Sequence, residues 1–178
     1  TSKISSYASN LVGQAASLYE RAAQIDPNFA LAWARLSRKE ALRYFTRMDP
    51  NYAAMGDAAR RALDNAQRLE PNSPETLLAL GYYQYRVLHD YGSAKTTFVR
   101  VSEVLPGSSE VRMALGGILA REGHWDQSVA YLEQALTLDP HNVELLMKAA
   151  STYANVRQFT AALKLYDRVL EITPSDPD

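Results

Sequence analysis

Apolar and small residues recur along this chain at alternating steps of four and three, the signature of a helix with one buried face. At the start they fall at Ile4, Ala8, Leu11, Ala15, Leu18, Ala22 and Ile25, which predicts one long first helix. A proline then closes the pattern, and the closure repeats. Pro27, Pro71, Pro106, Pro140 and Pro174 lie 44, 35, 34 and 34 residues apart, each two places after an apolar residue. Twelve residues before each proline stand Ala15, Ala59, Ala94, Ser128 and Ala162, side chains small enough to let two helices approach closely. Eight before stand Tyr19, Leu63, Phe98, Leu132 and Tyr166, and five before stand Ala22, Ala66, Val101, Ala135 and Val169. These positions share one helical face.

A second frame follows each proline. Trp33, Leu77, Arg112 and Leu146 come six residues on, and Leu36, Leu80, Leu115 and Ala149 nine residues on. That offset is constant, so differences in unit length must fall between the first helix of a unit and its second. Each unit therefore reads as a helical hairpin, apolar on both sides and too small to close a core alone. Proline ends the second helix, and Asn28, Ser73, Ser108 and Asn142 are placed to cap the next one. Gly123 suits a left-handed helix end, and Tyr91, Trp125 and Phe159, 34 residues apart, are read as plugs of the turn between helices.

The unit at 109–142 carries Leu115, Gly116, Ser128, Leu132, Ala135 and Pro140, and the next carries Ala150, Tyr153, Ala162, Tyr166 and Pro174. In these residues the chain resembles the tetratricopeptide repeat family over about residues 14–176. The resemblance implies an all-α, right-handed superhelical solenoid of antiparallel hairpins: a long first helix or partial repeat at 1–29, an enlarged repeat at 30–73, then repeats at 74–108, 109–142 and 143–176. The whole, 1–178, reads as a single domain excerpted from a longer chain. Arg112 and Leu146 stand where the family favours Trp, and Gln84 and Leu119 where it favours Tyr. Asp26-Pro27-Asn28-Phe29 and the enlarged unit are similar to arrays attached to bacterial signalling proteins such as adenylate cyclases and kinases.

The enlarged unit predicts helices near 28–47 and 51–69 projecting beyond the stack. Tyr44, Phe45 and Met48 would then meet Ile4, Ala8 and Leu11; alternatively Tyr44, Phe45, Arg47, Met48 and Tyr52 form an exposed docking tip. Residues 173–178 cannot make a polar capping helix, so the last face is expected to be covered, by self-association or by more of the same chain.

Composition narrows the function. With 19 Lys and Arg against 20 Asp and Glu the net charge is −1, which argues against a nucleic-acid binder, and the absence of cysteine removes disulfides and thiolate metal sites. Neither a membrane-spanning apolar run nor a secretory signal pattern is present in the sequence, a profile that favours the cytoplasm. His89, His124 and His141 occupy unlike positions in their units, and no phosphate-binding glycine loop, His-Glu-x-x-His or Gly-x-Ser-x-Gly occurs. The expectation is therefore a protein that is not an enzyme and needs no cofactor or metal.

Binding fits better. The family resemblance assigns the inner wall to the first helix of each unit, here Arg35, Arg38 and Leu42; Leu78, Tyr82, Tyr85 and Arg86; Met113, Gly117 and Arg121; Met147, Lys148, Ser151 and Asn155. Arg35, Arg38, Arg86, Arg121 and Lys148 are read as charge partners, with Tyr82 and Tyr85 as platforms, for a protein or peptide of acidic and apolar character. Glu75, Glu110 and Glu144 are read as first-turn carboxylates favouring the helix dipole. Ala79 and Ala114 replace the Asn residues of chaperone-binding relatives. The expected function is a protein-interaction scaffold; the alternative is an intramolecular regulatory or sensory domain of a larger bacterial signalling protein.

Overall fold

The computed structural model describes residues 2–47 and 51–173, with side chains from residue 11 onward. Every regular element among these residues is helical: α1 (Ser2–Ile25), α2 (Ala30–Thr46), α3 (Tyr52–Leu69), α4 (Pro74–Tyr83) continued by a π-helical turn (Gln84–Leu88), α5 (Tyr91–Val104), α6 (Ser109–Arg121), α7 (Trp125–Leu138), α8 (Val143–Asn155) and α9 (Phe159–Ile172). They group into two compact units, residues 1–104 and 105–178. Ile4, Ala8 and Met48, and residues 174–178, lie outside the described side chains.

In the first unit Ala34, Ala41, Ala59, Leu63, Ala66, Ala79 and Tyr83 form a core between α2, α3 and α4. Small residues bring the helices together: the Ser37 hydroxyl donates to the Ala59 carbonyl at 2.9 Å, wholly buried. α1 joins through Ala16, which packs with Leu36 and Ala62 beside Tyr19 and Trp33. Among the described side chains of α1 the buried alanines are Ala16 and Ala23, one residue on from the Ala15 and Ala22 that the repeat pattern selects. Leu11 is 47% exposed rather than packed, while Tyr44 lies against Gly56 and Tyr52, and Phe45 against Tyr85.

The 35-residue spacing has a structural reason. From Gly81 to His89 is eight residues, whereas Gly116 to Gly123 and Ala150 to Arg157 are seven. The extra residue is absorbed in the π turn, where Gln84 accepts at 2.7 Å from the Thr97 hydroxyl and its carbonyl accepts from Asp90 at 3.0 Å. Asp90 then caps α5 by accepting from the Ser93 amide at 3.0 Å. That amide bond, followed by the Ser93 side chain, holds the Asp90 carboxyl below its ordinary range. Its contribution is in place above the usual carboxylate pKa and is lost as pH falls.

In the second unit Met113, Leu132, Ala135, Leu145, Leu146, Ala149, Ala150 and Leu165 make the core, with Leu136, Tyr153, Tyr166 and Val169 at its margin. Ser128 donates to the Gly116 carbonyl at 2.7 Å across α6 and α7. Ser73, Ser108 and Asn142 cap as expected, accepting from Thr76, Val111 and Leu145. Asn28 does not. Its amide donates to Asp26, and Phe29 takes the cap position without a side-chain bond, because the Asp26-Pro27 turn holds Asn28 one step too early.

The carbonyls of Pro27, Pro106 and Pro140 each find a side-chain donor. Trp33 reaches Pro27 at 3.0 Å, and Arg112, at the same offset, reaches Pro106 at 2.5 Å. At Pro140 the equivalent Leu146 has no donor, and Arg168 of α9 supplies one. Substituting arginine for tryptophan therefore preserves the bond that the position makes.

His89, Gly123 and Arg157, again 34 apart, take φ of 55°, 83° and 62°. A Cβ on Gly123 would meet nothing within 4 Å, so Gly123→Ala tests φ alone and is expected to lower stability by about 1 kcal/mol. Gly13, in the middle of α1, also has open space around it. Gly13→Ala is expected to raise stability by about 0.5–1 kcal/mol. Urea denaturation of both variants checks the opposite signs.

Tyr153 donates to Glu133 at 2.5 Å. Burial first, then that bond and the Glu133 charge, push the Tyr153 hydroxyl up to about 12 from 10.0. The folded state therefore holds this proton more tightly than the unfolded chain. The contribution is complete below pH about 10 and is lost as pH rises to about 12. Tyr153→Phe should flatten the decline in stability across that window, measured by urea melts at stepped pH.

Candidate partner-binding faces

In the first unit the inner-wall residues come together, but they are closed on themselves. Glu75, on the first turn of α4, accepts from Arg35 at 2.8 Å and from Arg38 at 3.1 Å. The first-turn glutamate thus does more than favour a helix dipole: it clamps α2 to α4. Tyr82 is 2% exposed and Tyr85 3%, so neither is an open platform. Phe98 covers Tyr82 at 5.1 Å between centroids, and Phe45 and Tyr91 enclose Tyr85 at 5.6 and 5.9 Å. Arg38 and Arg86 lie over the Tyr82 ring, 5.3 and 4.1 Å from its centroid.

The tip residues also interlock. Arg47 is exposed, with φ 51° and its guanidinium 5.5 Å above Tyr52, whose ring is 5.9 Å from Tyr44. Tyr44, Phe45 and Tyr52 are half-buried.

The second unit is open. A cleft of about 490 Å³ is lined by Gly117, Ala120, Arg121, Trp125, Lys148, Ser151, Thr152 and Asn155. Gly117 adds no side chain to the lining, Arg121 and Lys148 bring two cations, and Asn155, exposed, brings an amide. Met147 is 45% exposed nearby in sequence, whereas Met113 is 8% exposed and belongs to the core. Of the residues expected on the inner wall, Gly117, Arg121, Lys148, Ser151 and Asn155 line this cleft.

That expectation missed Trp125. The reading of Tyr91, Trp125 and Phe159 as plugs holds for none in full: Tyr91 is half-buried against Tyr85 and His89, Trp125 is 37% exposed, and Phe159 59%. Each is the first residue of a second helix. Trp125 lines the cleft.

A smaller cleft in the same unit, about 300 Å³, is lined by Ser109, Glu110, Met113, Asp139, Asn142, Glu144 and Leu145 and is acidic. Part of this polarity is helix-end electrostatics: acids lie near the N-termini of α6 and α8, and Arg121 ends α6. Among the described residues no group of His, Asp and Glu is arranged to hold a metal ion, and no helix is long and apolar enough to cross a membrane.

Residues 119–178 match the tetratricopeptide repeat family model, and the fold superposes on solved members: the thermophilic repeat protein TTC0263 of Thermus thermophilus gives a TM-score of 0.74 at 20% identity, covering 97% of this chain and 89% of that one. Residues 119–178 carry tetratricopeptide repeats, and the described chain as a whole has their fold. YrrB, a repeat protein described as having an unusual peptide-binding site, gives a TM-score of 0.56 at 22% identity, covering 93% of this chain and 80% of that one. The anaphase-promoting complex subunit CDC16 of Saccharomyces cerevisiae is 24% identical over 167 residues, 90% of this chain. The chain spans 19% of the length of that subunit. The open cleft is lined by residues of α6 and α8 together with Trp125 of α7.

Proposed function

We propose that the chain is a protein-interaction scaffold, and that the cleft of its second unit takes a peptide segment with acidic and apolar side chains. The cleft itself carries the reading. It has the size of a binding site and is lined by a glycine, two cations, an amide and one large aromatic side chain. A carboxylate would meet Arg121 and Lys148, and an apolar neighbour would meet Trp125. In the first unit Glu75 already pairs with both Arg35 and Arg38, so these cations serve the packing of α2 on α4. The description of YrrB as peptide-binding supports the same class of activity.

Fluorescence anisotropy with a labelled peptide rich in Asp, Glu and aromatic residues tests it. Arg121→Glu with Lys148→Glu should weaken binding about tenfold or more and flatten its dependence on salt. Unchanged affinity and an unchanged salt slope would remove the cleft from the account.

A further inference from the structure

The two units treat the same helix positions in opposite ways. Tyr82, Tyr85 and Arg86 stand eleven, fourteen and fifteen residues after Pro71, and Gly117, Ala120 and Arg121 stand at the same offsets after Pro106. Tyr82 precedes the π turn, so its match with Gly117 holds in helix register as well as in count. The first residues of the second helices also match, Tyr91 in α5 and Trp125 in α7.

In the first unit these positions are filled by rings. Tyr82 is buried, with the Arg86 guanidinium 4.1 Å from its centroid. Tyr85 is buried too and stands edge-on to Tyr91 at 5.9 Å. In the second unit the two tyrosines become a glycine and an alanine, while the arginine and an aromatic at the helix start are kept. All four of these residues line the open cleft. On its other side Trp125 borders a cleft of about 360 Å³ that includes Gly123, where the first unit has the His89 ring 6.5 Å from Tyr91. The indole therefore stays exposed where Tyr91 is half-buried.

The first unit thus shows, within one chain, what an arginine and an aromatic at these positions hold between them. A guanidinium favours the face of a ring, and an aromatic neighbour favours its edge. We propose that the cleft anchors its partner through an aromatic side chain, Tyr or Phe. Its ring takes the space that Tyr82 and Tyr85 fill in the first unit, with Arg121 over its face and Trp125 at its edge. This anchor rests on the reading of the cleft as a peptide site. Acidic residues beside the ring then meet Lys148, which lines the same cleft. A saturated ring of similar size keeps the apolar burial but lacks the π face, so the two contributions separate.

Acidic peptides of one sequence, differing only in a central Phe, Tyr, cyclohexylalanine or Ala, are titrated into the full chain and followed by fluorescence anisotropy. Phe and Tyr are expected to bind about fivefold tighter than cyclohexylalanine, and about tenfold or more tighter than Ala. In Arg121→Gln the preference for Phe over cyclohexylalanine should vanish, whereas Lys148→Gln should weaken all the peptides alike. The ring should also mark its place: the Gly117 α-protons shift in NMR spectra with the Phe peptide and not with the cyclohexylalanine peptide. Ala120→Tyr supplies a ring from the chain itself and is expected to block the Phe peptide with the helical circular dichroism retained. If that variant fails to fold, the peptide series on the wild-type chain still decides. Equal affinity for all the peptides overturns the aromatic anchor and leaves the peptide cleft standing. Cyclohexylalanine matching or exceeding Phe, or ring-dependent shifts away from Gly117, likewise overturns the anchor. Binding of none of the peptides overturns both readings.

Discussion

Phe98→Ala is expected to destabilise the fold by about 3–5 kcal/mol, a larger loss than any other substitution proposed for this chain. The ring is fully buried. It stands edge-on to Tyr82 at 5.1 Å and so close to Gly81 that a Cβ there would come within 2.9 Å of it. Removing it leaves a cavity between α4 and α5 and takes away the support beneath Tyr82, on which Arg38 and Arg86 rest. The cause is tested by a second substitution. Gly81→Ala should destabilise the wild-type chain, where the new methyl meets the ring. In the Phe98→Ala background it should stabilise, filling part of the cavity and gaining helix propensity of about 0.5–1 kcal/mol. Urea melts of the four proteins give the coupling directly.

Gly116→Val comes next, at about 2–3 kcal/mol. Its Cβ would lie 3.0 Å from Leu132 and 3.2 Å from the Ser128 carbonyl, which is backbone and cannot rotate away. Helices α6 and α7 must then move apart, stretching the 2.7 Å bond from Ser128 to Gly116. Thermal melts should show the loss. They should also show that Ser128→Ala costs less, since it removes the bond without forcing the helices apart.

Much of the hairpin architecture was legible because it is written in local spacing. Proline stops, Ser and Asn caps and small residues at crossings each act within one or two turns, so Ser73, Ser108, Asn142 and Gly123 read correctly in isolation. Failures came where distant elements decide. Tyr82 and Tyr85 carry the period of an inner wall, yet Phe98, Phe45 and Tyr91 bury them, and nothing local announces that. Glu75 satisfies a helix-end argument so well that its two arginine partners on α2 leave no mark on the pattern. On α1 the leucine stripe is the stronger periodic signal, yet the alanines one residue on, Ala16 and Ala23, face the core. The π turn was visible as one surplus residue between Leu77 and Ala94, although spacing alone gives no form to a surplus. In the cleft, the first-helix residues were found by position, and Trp125 escaped because it belongs to the second helix.

The most direct test of the binding cleft is a titration of the isotopically labelled full chain with the acidic, aromatic peptide, followed by backbone and indole NMR shifts. The account predicts saturable shifts centred on Gly117, Arg121, Trp125, Ser151 and Asn155. Shifts confined to other helices, or none at millimolar peptide, would contradict it.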